Sequence, residues 1–455
     1  MIKKFIRRVF SLGSSAKTKP KTVPPGAHPI RREALSNGSR KVCEGLQQAG
    51  FAAYVVGGAV RDLLLGVKPK DFDVATDAPP EEVHRLFRRS RLIGRRFKLV
   101  HVMFGSETVE VSTFRAGDVS ETDEHGRVLR DNVFGTREDD AARRDFTVNA
   151  LYFDPATETI LAFHNGLRDL KARSVSIIGD PVARFREDPV RMLRAARFSA
   201  KLGFTIDART RAPIAGMAEL IGNVPAARVF DEMLKLLLSG HAKPCILGLR
   251  KEGLHHGLLP MLDVILEQPM GERFVLLALD QTDQRVQIGK PVSPAFLFAA
   301  LLWHEVLASW KKAQQEGQKP LPALHTAMDH VLDIQTGKLA IPRRYTTVMK
   351  DIWAMQPRFE QRSGRRPFSL LTSEKFRAGF DFLVLRAASG ECEQELADWW
   401  EKFQHAEPEV RADMLKPQEV GEKRPRRKRR RRPAHADGAE TATASHGDAG
   451  ASAEE

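Results

Sequence analysis

Cysteine is nearly missing from this 455-residue chain: Cys43, Cys245 and Cys392 are the only three, and they stand far apart. Such spacing excludes zinc-finger and disulfide-stapled scaffolds, and it fits a reducing compartment such as the cytoplasm. No apolar run approaches the ~20 residues of a membrane span; the longest, Ala295 to Val306, is broken by His304 and Glu305. A secretory leader is not expected, because the apolar stretch after the first charges is short and ends at Gly13. No internal repeat is present. With 42% hydrophobic residues, the chain can bury a sizeable core, which excludes wholesale disorder and a collagen-like architecture. Its length suggests roughly two to four structural units.

Positive charge is abundant, and it is concentrated at the ends. The net charge is +14, of which residues 1–41 carry +10 and residues 421–455 carry +3, leaving +1 for everything between. The C-terminal cations form one run, Lys423, Arg424, Arg426, Arg427, Lys428, Arg429, Arg430, Arg431 and Arg432. Mutual repulsion keeps such a block out of a core. It is either a solvated tail or a phosphate-binding arm, and RNA is the expected partner, bound with counterion release. Beyond Pro433 the composition reads as disordered. At the other end, Ile2, Phe5, Ile6, Val9 and Phe10 share a helical face opposite Lys3, Lys4, Arg7 and Arg8. That arm is either a loose basic extension or a weak contact with an anionic membrane surface.

Residues 20–30 read as a proline-rich linker. A helical pattern runs from about Ser36 to Gly50, and Phe51 to Val56 reads as a strand. Short strands and helices mix up to about residue 165. Helical spacing then dominates, in Pro189–Leu202, Ala227–Leu238, Pro294–Ser309 and Phe376–Ala388. The expected fold class is a small α/β head followed by an all-α neck and body, with disordered basic tails.

Two motifs in the head carry chemistry. In YVVGGAVRDLLLG (Tyr54–Gly66), paired glycines separate a strand from a helix. Gly57 and Gly58 lack a Cβ, so the backbone can approach a phosphate, and Arg61 can add a bidentate contact. An ordinary turn would look similar. DFDVAT follows, with Asp71 and Asp73 two apart, so that on a strand both carboxylates share a side. That pattern is either an exposed acidic face or a magnesium site, magnesium being a cation that takes oxygen ligands and shares its shell with substrate phosphates. A third carboxylate would come from Glu110, in TVEVSTFR, or from Asp145, in ARRDFTVNAL.

These segments, together with REDPVRMLRAARFSAKLGF (Arg186–Phe204), resemble the nucleotidyltransferase superfamily that includes DNA polymerase beta. Within it they resemble the branch of bacterial tRNA CCA-adding enzymes and bacterial poly(A) polymerases. Four motifs in order make the resemblance specific, and it is strong over about residues 40–240. LIGRRFKLVHVMFG (Leu92–Gly105), VSPAFLFAALLW, IPRRYTTVMKDIW, KFRAGFDFLVLRA, DWWEKF and the arginine-rich run look like the poly(A) polymerase side. No HD-type phosphohydrolase pairing follows the neck. The resemblance implies a basic arm and linker (1–35), a catalytic head (36–170), a helical neck for base recognition and RNA binding (171–240), a helical body (241–405) and a disordered arginine-rich tail (406–455).

The implied reaction adds AMP from ATP to an RNA 3′ end without a template, releases pyrophosphate and promotes RNA processing and decay. It needs magnesium, and RNA-decay proteins are further expected partners. Asp71 and Asp73 would hold the metal, with Asp145 as third catalytic residue. Gly57, Gly58 and Arg61 would contact the triphosphate. Glu187, Asp188 and Arg191 match the motif that reads the incoming base in CCA-adding relatives, and Arg228 and Glu232 match a structural neck motif. The alternatives are a CCA-adding enzyme, distinguished by CTP incorporation, and a non-catalytic RNA-binding adaptor, distinguished by failure to consume ATP.

Overall fold

A computed structural model describes residues 20–94, 98–116, 121–122, 128–130, 134–256 and 269–415. The amphipathic N-terminal arm, the run Lys423–Arg432 and part of the Leu92–Gly105 motif lie outside the described residues. The head is built on a mixed sheet of eight strands: β1 (Lys21–Val23), β2 (Ala53–Val56), β3 (Asp73–Thr76), β4 (Ser90–Ile93), β5 (Leu99–Phe104), β6 (Glu107–Thr113), β9 (Leu151–Asp154) and β10 (Thr159–Ala162). Two short strands between them, β7 (Glu121–Thr122) and β8 (Val128–Arg130), pair only with each other. The order across the sheet is β1-β10-β9-β2-β3-β6-β5-β4. Only β3 and β6 run parallel in it; the other neighbours are antiparallel.

Alternation sets the two faces. In β5, Val100 and Val102 are buried while Leu99, His101 and Met103 are partly exposed; in β6, Val109 and Val111 are buried while Thr108 and Glu110 are exposed. The buried face packs under the helices Asn37–Gln48 and Pro80–Leu86, together with Val42, Leu46, Val60, Val74 and Val83. Ser36 caps the first of these helices, its side chain accepting from the Ser39 amide. A serine at that place typically contributes about 1 kcal/mol.

Residues 20–30 are more than a linker. Lys21–Val23 pairs with β10 in register with Ala162, Leu161 and Ile160. Pro24 and Pro25 follow this edge strand, where missing amide donors do little harm. Local composition cannot report a partner strand 139 residues away.

Beyond the head the described chain is helical apart from one small parallel pair, β11 (Ser174–Val175) with β12 (Thr205–Ile206). The sequence-derived helices appear as Val190–Leu202, Ala226–Leu237, Pro294–Gln315 and Phe376–Ser389. One apolar core runs from Phe146 and Phe185 through Met233, Leu237, Phe274, Phe298 and Trp303 to Trp353 and Phe382. The neck thus shares its interior with the body and with the underside of the head. A separate aromatic cluster, including Phe359, Phe376, Trp400 and Phe403, closes the C-terminal helices. Among the described residues no helix is long and apolar enough to cross a membrane.

Candidate active site

An open cleft of about 410 Å³ lies where the head sheet meets the neck. That is the size range of small-molecule sites. Val56, at the end of β2, leads directly into Gly57, which adopts φ 73° and ψ −129° before the helix Gly58–Leu64 begins. A side chain is strained at that φ, and a Cβ there would also meet Arg144 Nη1 at 3.3 Å. The Gly57 amide donates to the Leu151 carbonyl at 3.1 Å, fixing the turn to β9. Arg61, one turn on, is buried: its Nη1 donates to Asn149 Oδ1 at 2.6 Å and its Nε to Asp62 Oδ1 at 2.8 Å. Its guanidinium lies 5.4 Å from the Phe198 ring centroid.

Asp73 opens β3 and stands in register with Glu110 on the parallel strand β6. The two carboxylates therefore face the cleft from neighbouring strands. Asp71 lies just before the strand and is not among the residues lining the cleft. It is still close enough to act on Asp73. The Asp73 pKa is pushed up to about 6, by burial first, then by Glu110 and Asp71, with Arg144 opposing. Crowded carboxylates of this kind are what a bound cation would relieve.

Arginines share the cleft with these acids. Arg143 and Arg144 line the cleft with Arg61 and Arg115. Both Arg143 and Arg144 are anchored from behind by Asp140, which is 1% exposed: Arg143 Nε and Arg144 Nη2 each donate to it at 3.1 Å, and the Tyr152 hydroxyl donates at 2.7 Å. Burial alone would raise the Asp140 pKa, but Arg144, Arg143 and Tyr152 bring it below its ordinary value.

Asp145 lines the cleft too, but its carboxylate is engaged from the neck. Arg194 Nη1 donates to one oxygen at 2.5 Å and Arg191 Nε to the other at 3.1 Å. Burial would raise its pKa; Arg194 and Arg191 hold it below the usual range. The same ladder continues through the neck. Glu187 accepts from Arg184 and Arg191, each at 2.7 Å, and Asp188 accepts from Arg228 at 2.6 Å. The buried Glu232 gathers Arg194, Arg197 and Lys235. Glu187 and Asp188 themselves are not among the cleft-lining residues.

The sequence reading did not assign Arg143, Arg144, Asn149, Ser112, Arg115 or Phe198 to the cleft, although all six line it. Three of them, Arg143, Arg144 and Asn149, lie in RRDFTVNAL, where a helix end and a 3-10 turn lead into β9. That such a turn brings them to one cleft cannot be seen in linear spacing.

Comparison with known proteins bears on this arrangement. The family described as Poly A polymerase head domain matches residues 53–176. The one described as Probable RNA and SrmB- binding site of polymerase A matches 203–266, and Polymerase A arginine-rich C-terminus matches 316–434. Poly(A) polymerase I of Escherichia coli O6:H1 is 44% identical over 94% of this chain and 96% of its own length. A CCA-adding enzyme of Lactobacillus helveticus is 39% identical, but over only 44% of this chain and 50% of its own. Among solved structures, the Bacillus stearothermophilus CCA-adding enzyme in complex with CTP superposes with a TM-score of 0.53 at 25% identity, covering 81% of this chain and 82% of the other.

Proposed function

Since the chain belongs to the poly(A) polymerase family and its activity is template-independent polyadenylation, we propose that the cleft between β3, β6 and the Arg143–Arg144 wall transfers AMP from ATP to an RNA 3′-hydroxyl. The observation that carries the reading is that two opposite charge sets line one cleft, Asp73 in register with Glu110, and Arg61 with Arg143 and Arg144. The triphosphate lies on the arginine side. Gly57 and Gly58 give its oxygens access to the backbone, and Arg61, locked by Asn149 and Asp62, offers charge without having to be ordered on binding. Prepositioned cations of this kind stabilise charge building on the leaving pyrophosphate.

Magnesium fits the acids. Among the described residues no group of three or more His, Cys, Asp or Glu side chains converges into a metal cage. An incomplete set of hard oxygen donors suits a cation that keeps waters and substrate phosphates in its shell. Asp73 and Glu110, with Asp71 beside them, would hold it. When bound it would lower the pKa of the attacking hydroxyl and polarise the phosphate. What supports Glu110 over Asp145 as the third carboxylate is that two arginines already neutralise Asp145. Asp145 then acts by positioning Arg191 and Arg194, and Glu187 and Asp188 fix the same neck helix on the base side.

The reading is tested by extending a short RNA with each nucleotide singly. ATP is expected to give long tails, and CTP incorporation at matching efficiency would overturn it in favour of a CCA-adding enzyme. The cationic run is proposed as an RNA arm. A chain ending near Val420 is expected to fold and to keep its Michaelis constant for ATP while binding RNA more weakly. If about six of its cations meet phosphates, the logarithmic salt slope falls by roughly 4 on truncation. Equal slopes for the two chains would exclude this role.

A further inference from the structure

The sheet does not end at the cleft. The row in register through Asp73 and Glu110 continues to His101 on β5 and Arg91 on β4. Residues directly opposed across strands share a face, so Asp73, Glu110, His101 and Arg91 project to the same side. His101 Nε2 lies 3.8 Å from Glu110 Oε2, and the two side chains are 37% and 48% exposed. Arg89 belongs to this side as well: its carbonyl accepts from the Met103 amide at 2.8 Å, which extends the β4–β5 pairing by one step, and it is two residues from Arg91. Ser90 between them is buried on the other face, bonded to His84.

Among the described residues this wing is uncovered. Over β2, β3 and β9 the same side of the sheet is filled by Tyr54, Val56, Ala75, Phe114, Ala141 and Tyr152. Over β6, β5 and β4 no described residues pack comparably. Thr108, Glu110, Arg89 and Arg91 are exposed there, and Leu99, His101 and Met103 are partly so. β4 is the sheet edge. Neither Arg89 nor Arg91 takes part in an ion pair among the described residues, unlike Arg85 and Lys98 nearby, which pair with Glu82 and Glu81.

We propose that this open wing seats the 3′-terminal segment of the RNA, with the terminal nucleotide over Glu110 and His101 and upstream phosphates on Arg91 and Arg89. The inference rests on the polyadenylation reading and adds a direction to it. The arginine wall, Gly57 and Gly58 place the triphosphate on one side of Asp73. The 3′-hydroxyl must reach the same phosphate from the other side, where among the described residues the sheet continues through β6, β5 and β4. Charge complementarity selects the occupant: two exposed, unpaired arginines about three strand spacings from Asp73, or roughly 14 Å, match a polyanion whose end lies at the acids. Phosphate contacts of this kind set register on the strand and do not read sequence.

The test uses the full chain and two independent readouts. In steady-state extension, Arg89→Ala/Arg91→Ala is expected to raise the Michaelis constant for RNA roughly tenfold, to lower the logarithmic salt slope of RNA affinity by about 1.4, and to leave the constant for ATP unchanged. In the second readout, RNA carrying 4-thiouridine at the penultimate position is irradiated with the protein in the absence of ATP. Crosslinks in the peptides that hold β4 and β5 are expected, and they are expected to weaken in the double variant. An unchanged RNA constant, or crosslinks that avoid β4 and β5 altogether, would overturn the proposal and leave the wing as a surface for an acidic protein segment. Because crosslinking needs no catalysis, a wild-type protein that binds RNA on this wing yet fails to extend it with ATP would refute the polyadenylation reading while upholding the seat.

Discussion

Asp73→Asn is expected to slow AMP addition by about a thousandfold or more while leaving the fold intact. The carboxylate stands in register with Glu110 and lines the same cleft as Arg61 and Arg144, and on the proposed reading the loss of a metal-positioning group removes several kcal/mol of transition-state stabilisation. A thousandfold corresponds to about 4 kcal/mol. The same substitution is expected to leave thermal stability at neutral pH unchanged or raised. The pKa of Asp73 is pushed up to about 6 by burial, Glu110 and Asp71. The folded state therefore holds this proton more tightly than the unfolded chain does, and the group weakens the metal-free fold as pH rises from about 4 to about 6. Asn removes that penalty. Single-turnover rates and melting curves between pH 4 and 7 check both halves, and a variant with more than a tenth of the wild-type rate would refute the assignment. Glu110→Gln is expected to share the loss of rate, whereas Asp145→Asn is expected to lose less. A dead Asp145→Asn with a near-normal Glu110→Gln would exchange the roles.

Asp140→Ala is expected to be the more damaging change to the fold. Its carboxylate is buried and holds Arg143, Arg144 and the Tyr152 hydroxyl. Removing one partner of a buried charge network typically costs about 3–5 kcal/mol, because the remaining charges stay desolvated and uncompensated. The expected result is a lowered denaturation midpoint, together with a raised Michaelis constant for ATP, since Arg143 and Arg144 line the cleft. The pH dependence has a defined sign. The folded-state pKa of Asp140 lies below its ordinary value, so its stabilisation is present above the unfolded pKa, about 3.9, and is lost as pH falls through the lower folded one. The stability gap between wild type and Asp140→Asn should accordingly narrow below about pH 4. A gap unchanged down to pH 2 would show that the charge of Asp140 is not what stabilises the network.

Both residues show how far linear reading reaches. Asp73 is a candidate from the sequence because a carboxylate pair follows a glycine turn, and the structure places it in the cleft. Asp140 was not, because a buried acid in REDDAARRD looks like one more charge on an exposed helix until Tyr152 and the sheet close over it. Glu110 and Asp145 were both candidates, and only register and ion pairing separate them: one lies beside Asp73 on the neighbouring strand, the other lies between Arg191 and Arg194. Lys21–Val23 has the local composition of a linker, because its partner strand is far away in sequence.

By itself the sequence determined the order of parts, an α/β head ahead of helices, since periodicity is a local property that survives in a linear string; the chemistry class followed from the resemblance carried by four motifs in order. It also determined where the cations sit, in the terminal runs. The tertiary structure alone decided which charges face one another. Ion pairing and strand register depend on distances of a few ångströms between segments that can be a hundred residues apart, as with Lys21 on β1 and Ala162 on β10, and no local pattern encodes them. The row from Asp73 through Glu110 and His101 to Arg91 is of this kind: four residues from four segments, brought onto one face only because β3, β6, β5 and β4 pair in that register.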